Sequence, residues 1–202
     1  MSRVDTSSDQ GVLVFTRDPL PARDAYGRYG TLALQPTANR RFEGVVRGER
    51  PASRPTFAGL ARLGEWGATV PAAVRGAAPR LALDVVRTVV QDRSVGASTG
   101  RAVARIGLMR RAAGMSSARF REHYLSHHAP LVMRRGPLFF RYSIHLVRDP
   151  EASGWDAVVE QWFVDDATWR EHDRLVLEEK EDVRADMAEF VGTLVSFAGR
   201  TP

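Results

Sequence analysis

The chain has 202 residues, 44% of them hydrophobic, which suits one full-size domain or two of about 100 residues. It has no cysteine, which excludes a disulfide framework, a thiol nucleophile and thiolate metal sites. Its net charge is +5, but only one of the 29 basic residues is lysine (Lys180), and residues 101–202 hold 15 basic groups against 15 acids, so the excess is scattered arginine in the first half. That pattern reads as a solvated surface, and nucleic acid is not an expected partner.

The N-terminal stretch MSRVDTSSDQ has no hydrophobic signal core, and no apolar run in the chain approaches ~18 residues. A soluble, cytoplasmic protein with no membrane partner is therefore expected. GVLVFTRDP reads as a strand ending in a turn. Beyond it, Gly27, Gly30, Pro36, Pro51, Pro55 and Pro71 interrupt any long helix. This half is either an irregular Ala/Gly/Arg-rich extension or a worn copy of the second half.

The second half is regular. RAVARIGLMRR alternates Val103, Arg105, Gly107 and Met109 against Ala104, Ile106, Leu108 and Arg110, a strand pattern. Gly114 turns the chain, and Ser116 or Ser117 is the expected N-cap of a helix carrying Phe120, Tyr124 and His128 on one stripe. Pro130 should sit just beyond the end of that helix. FFRYSIHLVRD is a second strand, with Tyr142 and Ile144 on one face and Ser143 and His145 on the other. WDAVVEQWFVDD is a third, with Glu160 and Trp162 opposite Val159 and Gln161. Asp165 or Asp166 caps ATWREHDRL, LEEKEDVRADMAEFV continues as a second helical segment, and TLVSFAG is a last strand. Strand, helix, strand, strand, helix, strand is the split βαβ, ferredoxin-like order.

Phe120, Tyr124 and His128-Ala129-Pro130-Leu131 after a first strand, then Tyr142, the Glu160-Gln161-Trp162-Phe163 strand, and Asp186 with Phe190, resemble the EthD family, a branch of the dimeric α/β-barrel superfamily. The resemblance covers about half the chain. It implies an α+β fold in which two ferredoxin-like sheets close a barrel, with a pocket between sheet and helices. It implies a reaction less firmly, because relatives include cofactor-independent oxygenases, isomerases, cyclases, dehydratases and decarboxylases.

Laid on the second half, the first half matches faintly. GVLVFTRDP falls on the first strand, and ARDAYGRYGTLALQPTA on the helix with Leu34 at the place of His128. FEGVVRGE and FAGLARLGEW fall on the next two strands, with Arg62 near the place of Glu160. ALDVVRTVVQDRSV falls on the terminal helix, with Asp84 near the place of Asp186. The expectation is two tandem units in one chain: residues 11–95 as a degenerate scaffold and residues 101–198 carrying the site, with a homodimer allowed through an outer surface.

All five histidines lie in the second half. His128 is the expected general acid/base, since an imidazole titrates near neutrality. Tyr124 is grouped with it, and Glu160 is its candidate partner, the alternative for Glu160 being an ion pair with an arginine such as Arg105 or Arg141. Tyr142, His145, Phe120 and Trp162 are expected to bind substrate, although Tyr142 and His145 point to opposite faces of their strand. His123 and His127 share a helical face as a metal pair would, but HExxH is missing and Arg119 and Glu122 beside them mark a solvated face, so no metal is expected. No phosphate loop, GxGxxG or nucleophile elbow is present, and no cofactor is expected. The expected function is cofactor-independent acid/base chemistry (cyclisation, dehydration, decarboxylation or isomerisation) on a hydrophobic aromatic or polyketide-type molecule. The alternatives are a cofactor-independent monooxygenase and a non-catalytic binding protein.

Overall fold

The computed structural model describes residues 8–18, 20, 31–36, 57–63, 79–93 and 102–200. Among the described residues, alternation of apolar side chains produces eight strands: β1 Ser8–Thr16, β2 Thr31–Pro36, β3 Gly59–Leu63, β4 Pro79–Asp92, β5 Val103–Arg111, β6 Arg141–Val147, β7 Ala157–Phe163 and β8 Val191–Arg200. They close into an antiparallel barrel in the order β1-β3-β2-β8-β5-β7-β6-β4. The barrel is complete within one chain.

Its two seams join the halves: β2 pairs with β8 from Ala33↔Arg200 to Pro36↔Phe197, and β4 pairs with β6 from Val85↔Val147 to Asp92↔Arg141. Within the second half the order is β8-β5-β7-β6, and within the first it is β4-β1-β3-β2, the same fourth-first-third-second sequence.

Period-two alternation sends side chains to two separate cores. Leu13, Phe15, Leu34, Leu83, Ile106, Val158 and Phe197 fill the barrel interior. Tyr142, Ile144, Val159, Phe163 and Leu194 face outward, under the helices. Those helices are α1 Ser117–His123, a π-helical turn Tyr124–His128, α2 Ala129–Arg134, the short α3 Pro150–Ser153, α4 Asp166–Glu179 and α5 Glu181–Phe190. Ser116 caps α1 by accepting from the Arg119 N–H, and Asp165 caps α4 by accepting from the Thr168 N–H.

Three expectations are corrected. Pro130 does not lie beyond the helix, because the chain continues helically to Arg134. The π-turn, in which the Ala129 N–H reaches Tyr124 O, shifts the hydrogen-bond register just where proline has no N–H to give. Residues 31–36, laid on a helix by the repeat, form β2, and Leu34 is buried in the barrel interior. Residues 79–92, laid on the terminal helix, form the long strand β4, where Asp84 is exposed. In β2 the buried Leu32 and Leu34 alternate with Ala33, and in β4 the β-branched run LALDVVRTVV alternates likewise, and both patterns outweigh the correspondence. FEGVVRGE lies outside the described residues.

Closure has a testable consequence. Residues 101–202 alone would expose the β6 and β8 edges and an apolar face that includes Ile106, Leu108, Trp162 and Phe197. That fragment should associate or aggregate in size-exclusion chromatography with light scattering, and a well-folded monomer would contradict the seams.

Candidate active site

The outward chamber lies between β5–β8 and the helices. It is lined by Arg105, Tyr124, His128, Tyr142, Gln161 and His172, set among valines, methionines and Leu194. Gly107 lets Val159 and Leu194 pack directly onto β5 at the chamber wall, because a Cβ there would stand 2.7 Å from Val159 Cγ1 and 3.1 Å from Leu194 Cδ1.

The helix supplies the imidazole. His128 is buried, and its Nδ1 lies 2.6 Å from Asp186 Oδ2 on α5. The other oxygen of the same carboxylate lies 2.7 Å from His123 Nε2 and 3.4 Å from His127 Nε2. Residues five apart diverge by well over 90° on an α-helix, whereas a π-turn brings them nearly into line, and this lets His123 and His128 share one carboxylate. Phe190 packs against His123, Tyr124 and His128 with ring centroids 4.8–5.4 Å away, and so fixes their orientation.

Burial lowers the pKa of His128, and the bond to Asp186 offsets this only in part. Burial works to raise Asp186, but His128 and then His123 hold it below its ordinary value. An ionised Asp186 can only accept, so His128 Nδ1 donates and Nε2 keeps its lone pair. The pair is a neutral imidazole oriented by a carboxylate.

Tyr142 OH donates to Tyr124 OH at 3.5 Å. Burial pushes Tyr124 up to about 12 and Tyr142 well above its ordinary value, so both are neutral phenols that donate hydrogen bonds rather than take protons. Arg105 is clamped in the sheet. Its Nε donates to Gln161 Oε1 at 2.8 Å, its Nη1 to Asp173 Oδ1 at 2.9 Å, and its Nη2 to Gln161 Oε1. His172 is driven down to about 2 by burial, then by Arg105 and Lys180, and serves as a neutral group.

Of the residues singled out in the sequence, Tyr124, His128 and Tyr142 meet in this chamber. Phe120 backs it, packing on Tyr124 and Phe190. Glu160, His145 and Trp162 do not: they face the barrel interior, where Glu160 accepts from Arg62 Nη2 at 2.5 Å and from Trp162 Nε1, and lies 3.3 Å from His145 Nε2. Burial would raise the Glu160 carboxyl, but Arg62 and then His145 hold it well below the carboxylate range. Glu160 thus pairs with an arginine, as its structural alternative had it, but the arginine is Arg62. Asp186 is the group that orients His128, and Arg105 the cation that sequence reasoning left as a pairing option. Its place opposite Ala104 in the alternation, on the cavity side with Gly107, was the available signal. His123 and His127 turn to Asp186 rather than to solvent alone. Among the described residues no set of three or more ligating side chains is arranged to hold a metal ion.

No family model matches the sequence, and no curated protein matches it. The fold is similar to the crystal structure of a candidate monooxygenase from Lactobacillus acidophilus, with a TM-score of 0.51 over 96% of this chain and 93% of that chain, at 9% identity. At that identity the likeness is one of fold: an α+β chain built on a barrel. Among the described residues no helix is long and apolar enough to cross a membrane.

His128, His145 and His172 all have folded pKa values below the ordinary one. Above about pH 6.5 neither state is protonated and their contribution is fully present. As pH falls, the unfolded chain gains protons that the folded chain refuses, so stability drops by up to about 1.4 kcal/mol per pH unit for each histidine. Urea unfolding from pH 7 to 5 should show this steep loss before the carboxylate range is reached. A flat profile would contradict three neutral buried imidazoles.

Proposed function

We propose that the protein is a small enzyme that uses His128, oriented by Asp186, to remove and return a proton on a hydrophobic, aromatic or polyketide-type molecule. The observation that carries this reading is the 2.6 Å Nδ1–Oδ2 contact, which leaves a neutral imidazole with its lone pair at Nε2 in an apolar chamber. An enzyme that abstracts a proton beside a carbonyl also needs donors for the developing oxyanion. Tyr124 OH, supported by Tyr142, and the guanidinium of Arg105 line the same chamber. With these groups the chain needs no cofactor for cyclisation, dehydration, decarboxylation or isomerisation through an enolate. Glu160, His145 and Trp162 have no direct part in this chemistry, since they lie on the other face of the sheet.

We also propose that residues 11–95 and 101–198 are tandem EthD-like, ferredoxin-like units. The shared strand order supports this. So does the pair Arg62 and Glu160, each the fourth residue of the third strand in its half, which meet across the barrel. Like residues at both places would repel or leave a charge unpaired. An Arg/Glu pair joins two unlike halves of one chain and disfavours two C-terminal halves.

A second reading, cofactor-independent monooxygenation, is favoured by the fold likeness to a candidate monooxygenase. The same deprotonation would produce a carbanion that gives its electrons to dioxygen. Oxygen uptake during turnover separates the two readings.

The test is exchange of the acidic C–H of an aromatic β-dicarbonyl compound in heavy water, followed by NMR. The native chain should accelerate it. His128→Asn should lose ~10²-fold or more, the usual contribution of a positioned base, while losing only about 1 kcal/mol of stability. Asp186→Asn, which cannot fix the tautomer through a carboxylate, should fall in the same direction. A fully active His128→Asn protein would overturn the assignment.

A further inference from the structure

The barrel interior holds a second group of polar side chains that the proposed chemistry does not use. Strand register gathers them into a polar layer of two successive inward-facing rungs: Arg87 of β4 pairs with His145 of β6, and Ser143 of β6 pairs with Glu160 of β7. Arg62 enters from β3, joins Glu160 at 2.5 Å and lies with its guanidinium carbon 6.0 Å from the Trp162 ring centroid.

Among the described residues the charges in this layer do not cancel. Glu160 answers Arg62. Arg87 is half-buried, and among the described residues it meets only the Ser143 hydroxyl, at 3.2 Å from Nη2 and 3.4 Å from Nε, and has no carboxylate partner. Arg62 Nε is buried with no hydrogen-bond partner among the described residues. His145 adds no negative charge, being held neutral by burial, with Arg62 and Arg87 both pressing against its protonation. Glu160 is already engaged by Arg62, Trp162 Nε1 and His145, so it does not compete for Arg87.

A planar guanidinium beside a hydroxyl, with a second guanidinium in the same low-dielectric layer, matches an anion with two or more oxygens. We propose that Arg87, Ser143 and Arg62 form an oxyanion-binding site inside the barrel, on the opposite face of the sheet from His128, for a carboxylate or phosphate group. The anion would complete the charge of the layer, so binding should stabilise the fold.

The test is thermal unfolding of the full chain in inorganic phosphate and, separately, in acetate, each series at constant ionic strength. A saturable rise in Tm of a few degrees is expected, lost in Arg87→Gln and kept in Arg80→Gln, an exposed position on the same strand. Arg87→Lys, which keeps the charge without the fork, should shift the midpoint to several-fold higher anion concentration, and it serves if Arg87→Gln does not fold. A response to phosphate alone assigns a phosphate group, and a response to both assigns a site open to carboxylates. No saturable rise with either anion, the same rise in Arg87→Gln, or an unchanged midpoint in Arg87→Lys would overturn the site.

Discussion

The sheet formed by β8, β5, β7 and β6 is buried on both faces. The helices cover one face and the closed barrel covers the other. Every polar side chain on these strands must therefore find a partner in one chamber or the other, since burying one unpaired costs several kcal/mol. The alternation of the strand decides which. Arg105, Tyr142 and Gln161 turn outward, and Ser143, His145 and Glu160 turn inward. Glu160 and Gln161 are neighbours in sequence, yet they belong to different networks separated by the sheet. This is why a carboxylate from α5, rather than Glu160, serves His128.

In the outward chamber the groups are held before any ligand arrives. Gln161 and Asp173 clamp Arg105, Phe190 braces His128 and Tyr124, and Asp186 fixes the imidazole tautomer. Such fixed dipoles and donors need little reorganisation when charge develops on a substrate. The π-turn is part of this arrangement. A π-turn is rare and appears mostly at functional sites, and here it carries His128 into the chamber while bringing His123 to the same carboxylate.

Much of the second half was legible because its signals are local. The alternation of residues 103–111, 141–147 and 157–163, together with the serine and aspartate caps, marks strands and helix starts that the chain adopts. The opposite facing of Tyr142 and His145 also follows from period two. What the pattern hid is non-local. Pro130 reads as a helix stop, and only the widened turn before it lets the helix run on. Asp186 and Arg62 become partners through pairings of 58 and 98 residues in sequence separation, which no window of the sequence contains. In the first half, a faint repeat masks the strand alternation of β2 (TLALQP) and of β4 (LALDVVRTVV).

The proposed role of His128 requires a neutral imidazole whose Nδ1–H is held by Asp186. Long-range proton–nitrogen NMR of the histidine side chains, titrated through neutrality, reads both points directly. His128 should show the Nδ1–H tautomer, stay neutral at pH 7 and titrate below the ordinary value of about 6.5. An Nε2–H tautomer, or an imidazolium at pH 7, would contradict that role.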